Sequence, residues 1–167
     1  MTTKAKQERL DKYQRRAQEI LETLNIQTQI IGQMKVTKNQ VWGKCHRVAP
    51  GLYDIQINEL LLVKDKGHEA MTTVLHEMLH TVKGCFNHGP KWKELADLVN
   101  KNYHYNIKRT TSCDEKGIKE DDFRKVRYIL ECQGCGYKIK RTKKSKIIKN
   151  PEHYLCGKCR GKLKRIK

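Results

Sequence analysis

The stretch VLHEMLHTVKGCFNHGPKW, Val74 to Trp92, holds three histidines and a glutamate within thirteen residues. Residues on an α-helix advance about 100° each, so His76 and His80 stand about 40° apart and one turn from each other. Two imidazoles at that spacing can share one zinc ion, and Glu77, beside the first histidine, reaches toward water at the metal rather than the metal itself. In this HExxH arrangement the glutamate is the catalytic residue. It serves as general base toward the attacking water and then as general acid toward the leaving amine of a cleaved peptide. The residues name no oxyanion donor.

A catalytic zinc takes three protein ligands and keeps one position open. His88 is the expected third. Gly84 can end the helix and let the chain reverse, which returns a histidine eight residues after His80 to the same ion. The longer pattern HExxHxxGxxH does not fit, because Lys83 and Phe86 occupy its glycine and final histidine positions. Glu94 and Cys85 are the weaker alternatives. The opposing reading is an amphipathic helix that carries histidines by chance. Against it stands a predicted core stripe of Met71, Leu75, Met78 and Val82, roughly opposite the two histidines and complete without them.

Near the C-terminus, Cys132-x-x-Cys135 and Cys156-x-x-Cys159 are separated by twenty residues, a spacing that suits two knuckles closing around one structural zinc. Disulfides and a redox C-x-x-C are the alternatives. The first is disfavoured by the reducing compartment expected below, and the second by two matched pairs in one small segment. That segment has almost no apolar mass, so a metal would supply the folding free energy it lacks.

These ligands need elements to hold them. Apolar residues at Leu10, Tyr13, Ala17, Ile20, Leu21 and Leu24 predict a helix from Thr3 to about Leu24. IIGQMKV, QVWGKCHRV and YDIQINE read as two or three antiparallel strands, with a hairpin near Pro50 and Gly51. After the loop KDKG, a helix is expected from about His68 to Lys83 to carry the first two histidines. Another follows from HGP to about Asn102, with Pro90 in its first turn. Residues 1–110 form one domain on this reading, 111–126 a polar linker, and 127–167 a basic zinc ribbon.

The motifs resemble a known family. HEMLH followed by NHGPKW looks like the SprT-like metallopeptidase domain, the group that includes the Spartan proteases. VWGKCHRVAPGLYDIQINELLL resembles that family's strand region, and a C-terminal zinc ribbon is a common companion in its bacterial and phage-type members. The resemblance runs from about Ile26 to Arg165. It implies that His76, His80 and His88 bind zinc, that Glu77 is the general base, and that the substrate is a protein associated with or crosslinked to DNA. The connection between His80 and His88 is shorter than in the larger eukaryotic members.

Lys and Arg number 36 against 18 Asp and Glu, a formal net charge of +18 that draws the chain to polyanions. Lys138, Lys140, Arg141, Lys143, Lys144, Lys146, Arg160, Lys162, Lys164 and Arg165 crowd the ribbon and are the expected contacts to DNA phosphates, without sequence specificity. The longest strongly apolar run, about LLLV at Leu60 to Val63, is far too short to span a bilayer, and the N-terminus shows no secretory signal. A cytoplasmic monomer is the expectation. The fold class that follows is α+β, a zincin-like domain plus a zinc ribbon with two zinc ions per chain. The function that follows is a zinc metallopeptidase positioned on nucleic acid. The rival is a nucleic-acid-binding ribbon protein whose HExxH domain is structural.

Overall fold

The N-terminal apolar stripe forms α1, Thr3–Thr23, in the computed structural model of the chain. Thr2 caps it by accepting from the Ala5 N–H, and Leu10, Ala17, Ile20 and Leu21 are buried along one face. The structure describes residues 1–63, 66–124 and 126–167, with Ile30 described by its backbone alone. Lys64 and Asp65 of the predicted KDKG loop and Lys125 of the predicted linker lie outside the described residues. Contacts divide the chain into two compact units, Met1–Ile118 and Lys119–Lys167.

In the first unit, β3 (Gly43–Ala49) and β4 (Leu52–Asn58) make the expected antiparallel hairpin, and Gly51 takes the positive φ of 77° that its turn requires. The rest of the sheet departs from expectation. β1 (Ile30–Ile31) and β2 (Lys35–Thr37) pair with β4 in parallel, so the small sheet is mixed rather than antiparallel. Pairing explains this. β3 occupies one edge of β4 along residues 52–57, which leaves β1 (against 52–53) and β2 (against 56–58) to share the other edge in succession. Tyr53, Ile55 and Ile57 alternate into the core, as their period of two predicts.

α2 runs Gly67–Leu79, one turn shorter than the predicted helix to Lys83. Beyond it Thr81 returns its hydroxyl to the Met78 carbonyl, and Val82 leaves the helix to bridge Thr28. Gly84, at a φ of 85°, therefore serves the reversal that follows the helix rather than its cap. α2 is also buried on more than the predicted stripe, from Ala70 to Leu75 and again at Glu77 to Leu79. Thr72 and Thr73 can be buried there because their hydroxyls donate to the His68 and Glu69 carbonyls, each at 2.8 Å.

α3, Pro90–Tyr103, buries Trp92, Ala96 and Val99. Asn100 then fixes the outgoing chain, accepting from the Ile107 N–H at 2.7 Å and donating to its carbonyl at 2.9 Å. The following strap reaches α2, where Lys116, only 4 % exposed, donates to Thr73 Oγ1 at 2.8 Å and to the Glu69 carbonyl at 3.2 Å.

The second unit has α4 (Glu120–Phe123), a three-stranded antiparallel sheet and α5 (Lys146–Lys149). In the sheet β5 (Tyr128–Cys132) lies between β6 (Lys138–Arg141) and β7 (Leu163–Arg165). Its core is small: Leu130, Ile148 and Leu163 with two cysteines, Cys132 and Cys156. Among the described residues no helix is long and apolar enough to cross a membrane.

Candidate metal centres

His76 sits in the last turn of α2, and His80 is its C-terminal cap. The reversal through Gly84 brings His88 back just ahead of α3. The three imidazoles converge by their Nε2 atoms, His88 at 3.0 Å and His80 at 3.3 Å from His76. All three ligand atoms lie within 4.8 Å of one another. Nitrogens about 2.0–2.1 Å from a tetrahedral zinc stand roughly 3.3 Å apart, so this donor set fits such an ion. Neither Glu94 nor Cys85 joins the group among the described residues.

Two of the rings are oriented from behind. His80 Nδ1 lies 3.0 Å from the Cys85 carbonyl, which fixes the proton there and leaves Nε2 as a lone pair facing its neighbours. The Lys108 backbone is a hydrogen-bond partner of His76. Burial, then the neighbouring imidazoles, pushes His76 down to about 3. Burial lowers His80, and burial followed by the proximity of His80 lowers His88. The three are neutral donors at neutral pH, the form that ligates a cation.

Glu77 is 6 % exposed, and burial raises its pKa to about 8 against the opposing hydrogen bond from the Cys45 backbone. The edge strand β3 presses on it. A Cβ at Gly43 would stand 2.5 Å from Glu77 Oε1 and 2.8 Å from its Cδ. Glu77 and the three histidines open onto a cleft of about 710 Å³, lined also by Cys45, Phe86 and Arg109. Arg109 brings a positive charge that is felt at His88.

Several of these residues escaped the sequence reading. Gly43 and Cys45 lie in a strand whose pattern only announced a strand, and Arg109 sits in a segment without periodicity. Trp92 was visible only as a core residue of α3. Its indole lies against all three imidazoles, with ring centroids 4.8, 5.5 and 4.5 Å from His76, His80 and His88. Among the described residues its buried Nε1 has no hydrogen-bond partner, which typically costs about 1–3 kcal/mol.

In the second unit, the Sγ atoms of Cys132, Cys135, Cys156 and Cys159 also lie within 4.8 Å of one another. Cys132 to Cys159 is 3.3 Å and Cys135 to Cys156 is 3.8 Å, far beyond a disulfide bond and near the roughly 3.8 Å edge of a tetrahedron of thiolates on zinc. Backbone N–H groups of Gly134 and Lys158 donate to Cys132 and Cys156. The Cys135 backbone first, and then Gly134, lowers Cys132 to about 6, and the Cys159 and Lys158 backbones lower Cys156, whereas at Cys159 the lowering by the Gly161 backbone is outweighed by the neighbouring sulfurs, which raise it. A Cβ at Gly161 would stand 2.9 Å from Cys132 Sγ, so only glycine leaves room for the sulfur there. The ten cationic residues singled out in the sequence, Lys138 through Arg165, are all exposed. Lys140 pairs with Asp121 at 3.3 Å, and Arg165 lies over the Tyr128 ring.

A histidine triad on a helix and its return, with a buried glutamate between the first two ligands, is a site of metallopeptidase type. Residues 6–112 match the SprT-like family. The chain is 30% identical over 116 residues to Protein SprT-like of Bacillus velezensis, covering 68% of this chain and 70% of that one. It is 30% identical over 125 residues to Protein SprT-like of Oceanobacillus iheyensis, covering 72% and 73%. With Protein SprT-like of Bacillus subtilis it shares 28% identity over 119 residues, covering 68% and 70%. The chain belongs to the SprT-like family.

Proposed function

We propose that the chain is a zinc metallopeptidase of zincin-like architecture that acts on proteins associated with or crosslinked to DNA. The observation that carries this reading is the convergence of three neutral imidazoles beside a buried carboxylate in an open cleft. His76, His80 and His88 would hold the catalytic zinc, and the four cysteines a structural one. A zinc ion in the histidine site would supply Lewis acidity toward a peptide carbonyl and toward water.

The chain's own residues do the rest. Glu77, which burial makes a stronger base than an exposed carboxylate, takes a proton from the attacking water and returns it to the leaving amine. The Cys45 N–H and the glycine at 43 keep that carboxylate in place. Support for a nucleic-acid partner comes from the net charge of +18 and the exposed cationic residues of the ribbon.

The test is cleavage of a DNA-binding protein, and of the chain itself, with and without single-stranded DNA, comparing wild type with Glu77→Gln at matched zinc content. Cleavage that disappears in the variant establishes the peptidase, and cleavage that also needs DNA joins the two units in one activity. No cleavage by the zinc-loaded wild type across several substrates and DNA forms would leave a nucleic-acid-binding protein with a structural histidine site.

A further inference from the structure

Three imidazoles whose Nε2 atoms converge to 3.0 and 3.3 Å about that of His76 need neighbours that hold each ring in place. His80 is held by the Cys85 carbonyl and His76 by the Lys108 backbone. His88 differs. Among the described hydrogen bonds its ring meets only His76. What does touch it is the Trp92 indole, four residues on in the first turn of α3, at a centroid distance of 4.5 Å and an interplanar angle of 80°.

The same indole stacks on His80 at 21° and meets His76 edge-on at 67°. It is 1 % exposed, so one rigid ring closes the inner side of the ligand set. Core filling alone does not account for a tryptophan here. A phenyl ring would bury apolar surface without burying the unpartnered Nε1. The indole as it stands touches all three imidazoles.

We infer that Trp92 is a positioning residue of the metal centre, holding His88 in ligand geometry in place of the backbone hydrogen bond that the other two histidines have. The inference rests on the reading of the histidine triad as a metal site. Groups that orient a ligand from behind typically contribute 10- to 100-fold to metal affinity.

The experiment is a Co²⁺ titration of the full chain against a chromophoric competitor, with the ribbon already filled with zinc. Thiolate-to-cobalt charge-transfer bands would reveal any exchange into the cysteine site. Trp92→Leu should weaken the histidine site tenfold or more and Trp92→Phe less, by about threefold, while Glu77→Gln changes affinity little. In a His88→Ala background, Trp92→Leu and Trp92→Phe should make no further difference, because the ligand they act through is gone. Thermal unfolding of each metal-free variant is measured alongside.

Unchanged affinity in Trp92→Leu would overturn the inference, as would losses that multiply in the His88→Ala background. So would a loss confined to Trp92→Leu that follows a collapse of its metal-free fold while Trp92→Phe binds like wild type. Failure of the wild type to bind any Co²⁺ outside the ribbon would overturn the metal-site reading itself and this inference with it. Metal binding without peptidase activity would leave the inference standing and remove only the proposed reaction.

Discussion

Gly43 is where the backbone of the edge strand comes closest to the carboxylate that the proposed chemistry depends on. A methyl group there would overlap Glu77 Oε1, Cγ and Cδ, and the glutamate, being the flexible partner, is what must move. Misplacing a reacting group by about 1 Å can cost on the order of 100-fold in rate. Gly43→Ala should therefore lower kcat about 100-fold on any cleaved substrate and leave metal content unchanged, read by steady-state kinetics beside elemental analysis. A variant with full kcat would show that Glu77 does not need β3. The gathering of His76, His80 and His88 was legible, since HExxH and a later histidine are local signals. Gly43, Trp92 and Arg109 were not, because each matters through a neighbour that only the fold supplies.

Lys116 ties the strap after α3 to the middle of α2, and it does so with a buried ammonium group. Burial, opposed by the charges of Glu69 and Glu115, brings its pKa from 10.5 to about 8. Between those values the unfolded chain holds the extra proton, so this group makes stability rise with pH across that window and leaves its full penalty in place below about 8. Relative to Lys116→Met, the wild type should gain about 2 kcal/mol between pH 7 and 9.5 in urea unfolding. A difference that does not vary with pH would mean that the ammonium keeps its water.

At this scale the sequence spoke unevenly. α1 and α3 were found within a residue or two, because caps and stripes are local. The end of α2 was overrun because Val82 continues an apolar stripe but is claimed by Thr28. Parallel pairing of β1 and β2 was missed, since strand direction depends on which edge of β4 is free. No periodicity in residues 111–118 announced a buried lysine.

The two units draw on different sources of stability. Met1–Ile118 has an extended apolar core built from α1, the sheet, α2 and α3, whereas Lys119–Lys167 closes around three aliphatic residues and two of its cysteines. In zinc-finger peptides, structural zinc supplies about 10–16 kcal/mol of folding free energy, and the proposed reading gives the second unit the same dependence. Chelation should thus strip hydrogen-exchange protection from β5 to β7 and leave the amides of α2 protected, as read by mass spectrometry; retained protection in β5 to β7 would show that the ribbon folds without metal. The division of labour could be foreseen from the poverty of apolar residues beyond Cys132.

All three histidines of the triad lie within thirteen residues of the first unit, and every ribbon thiol lies beyond it. During translation the histidine-bearing unit is complete before Lys119, and roughly 2–8 s pass before Cys159 is added at ordinary rates of chain growth. The nitrogen donor set is therefore made first, at a time when the sulfur donor set of the same molecule does not yet exist to compete for a cation.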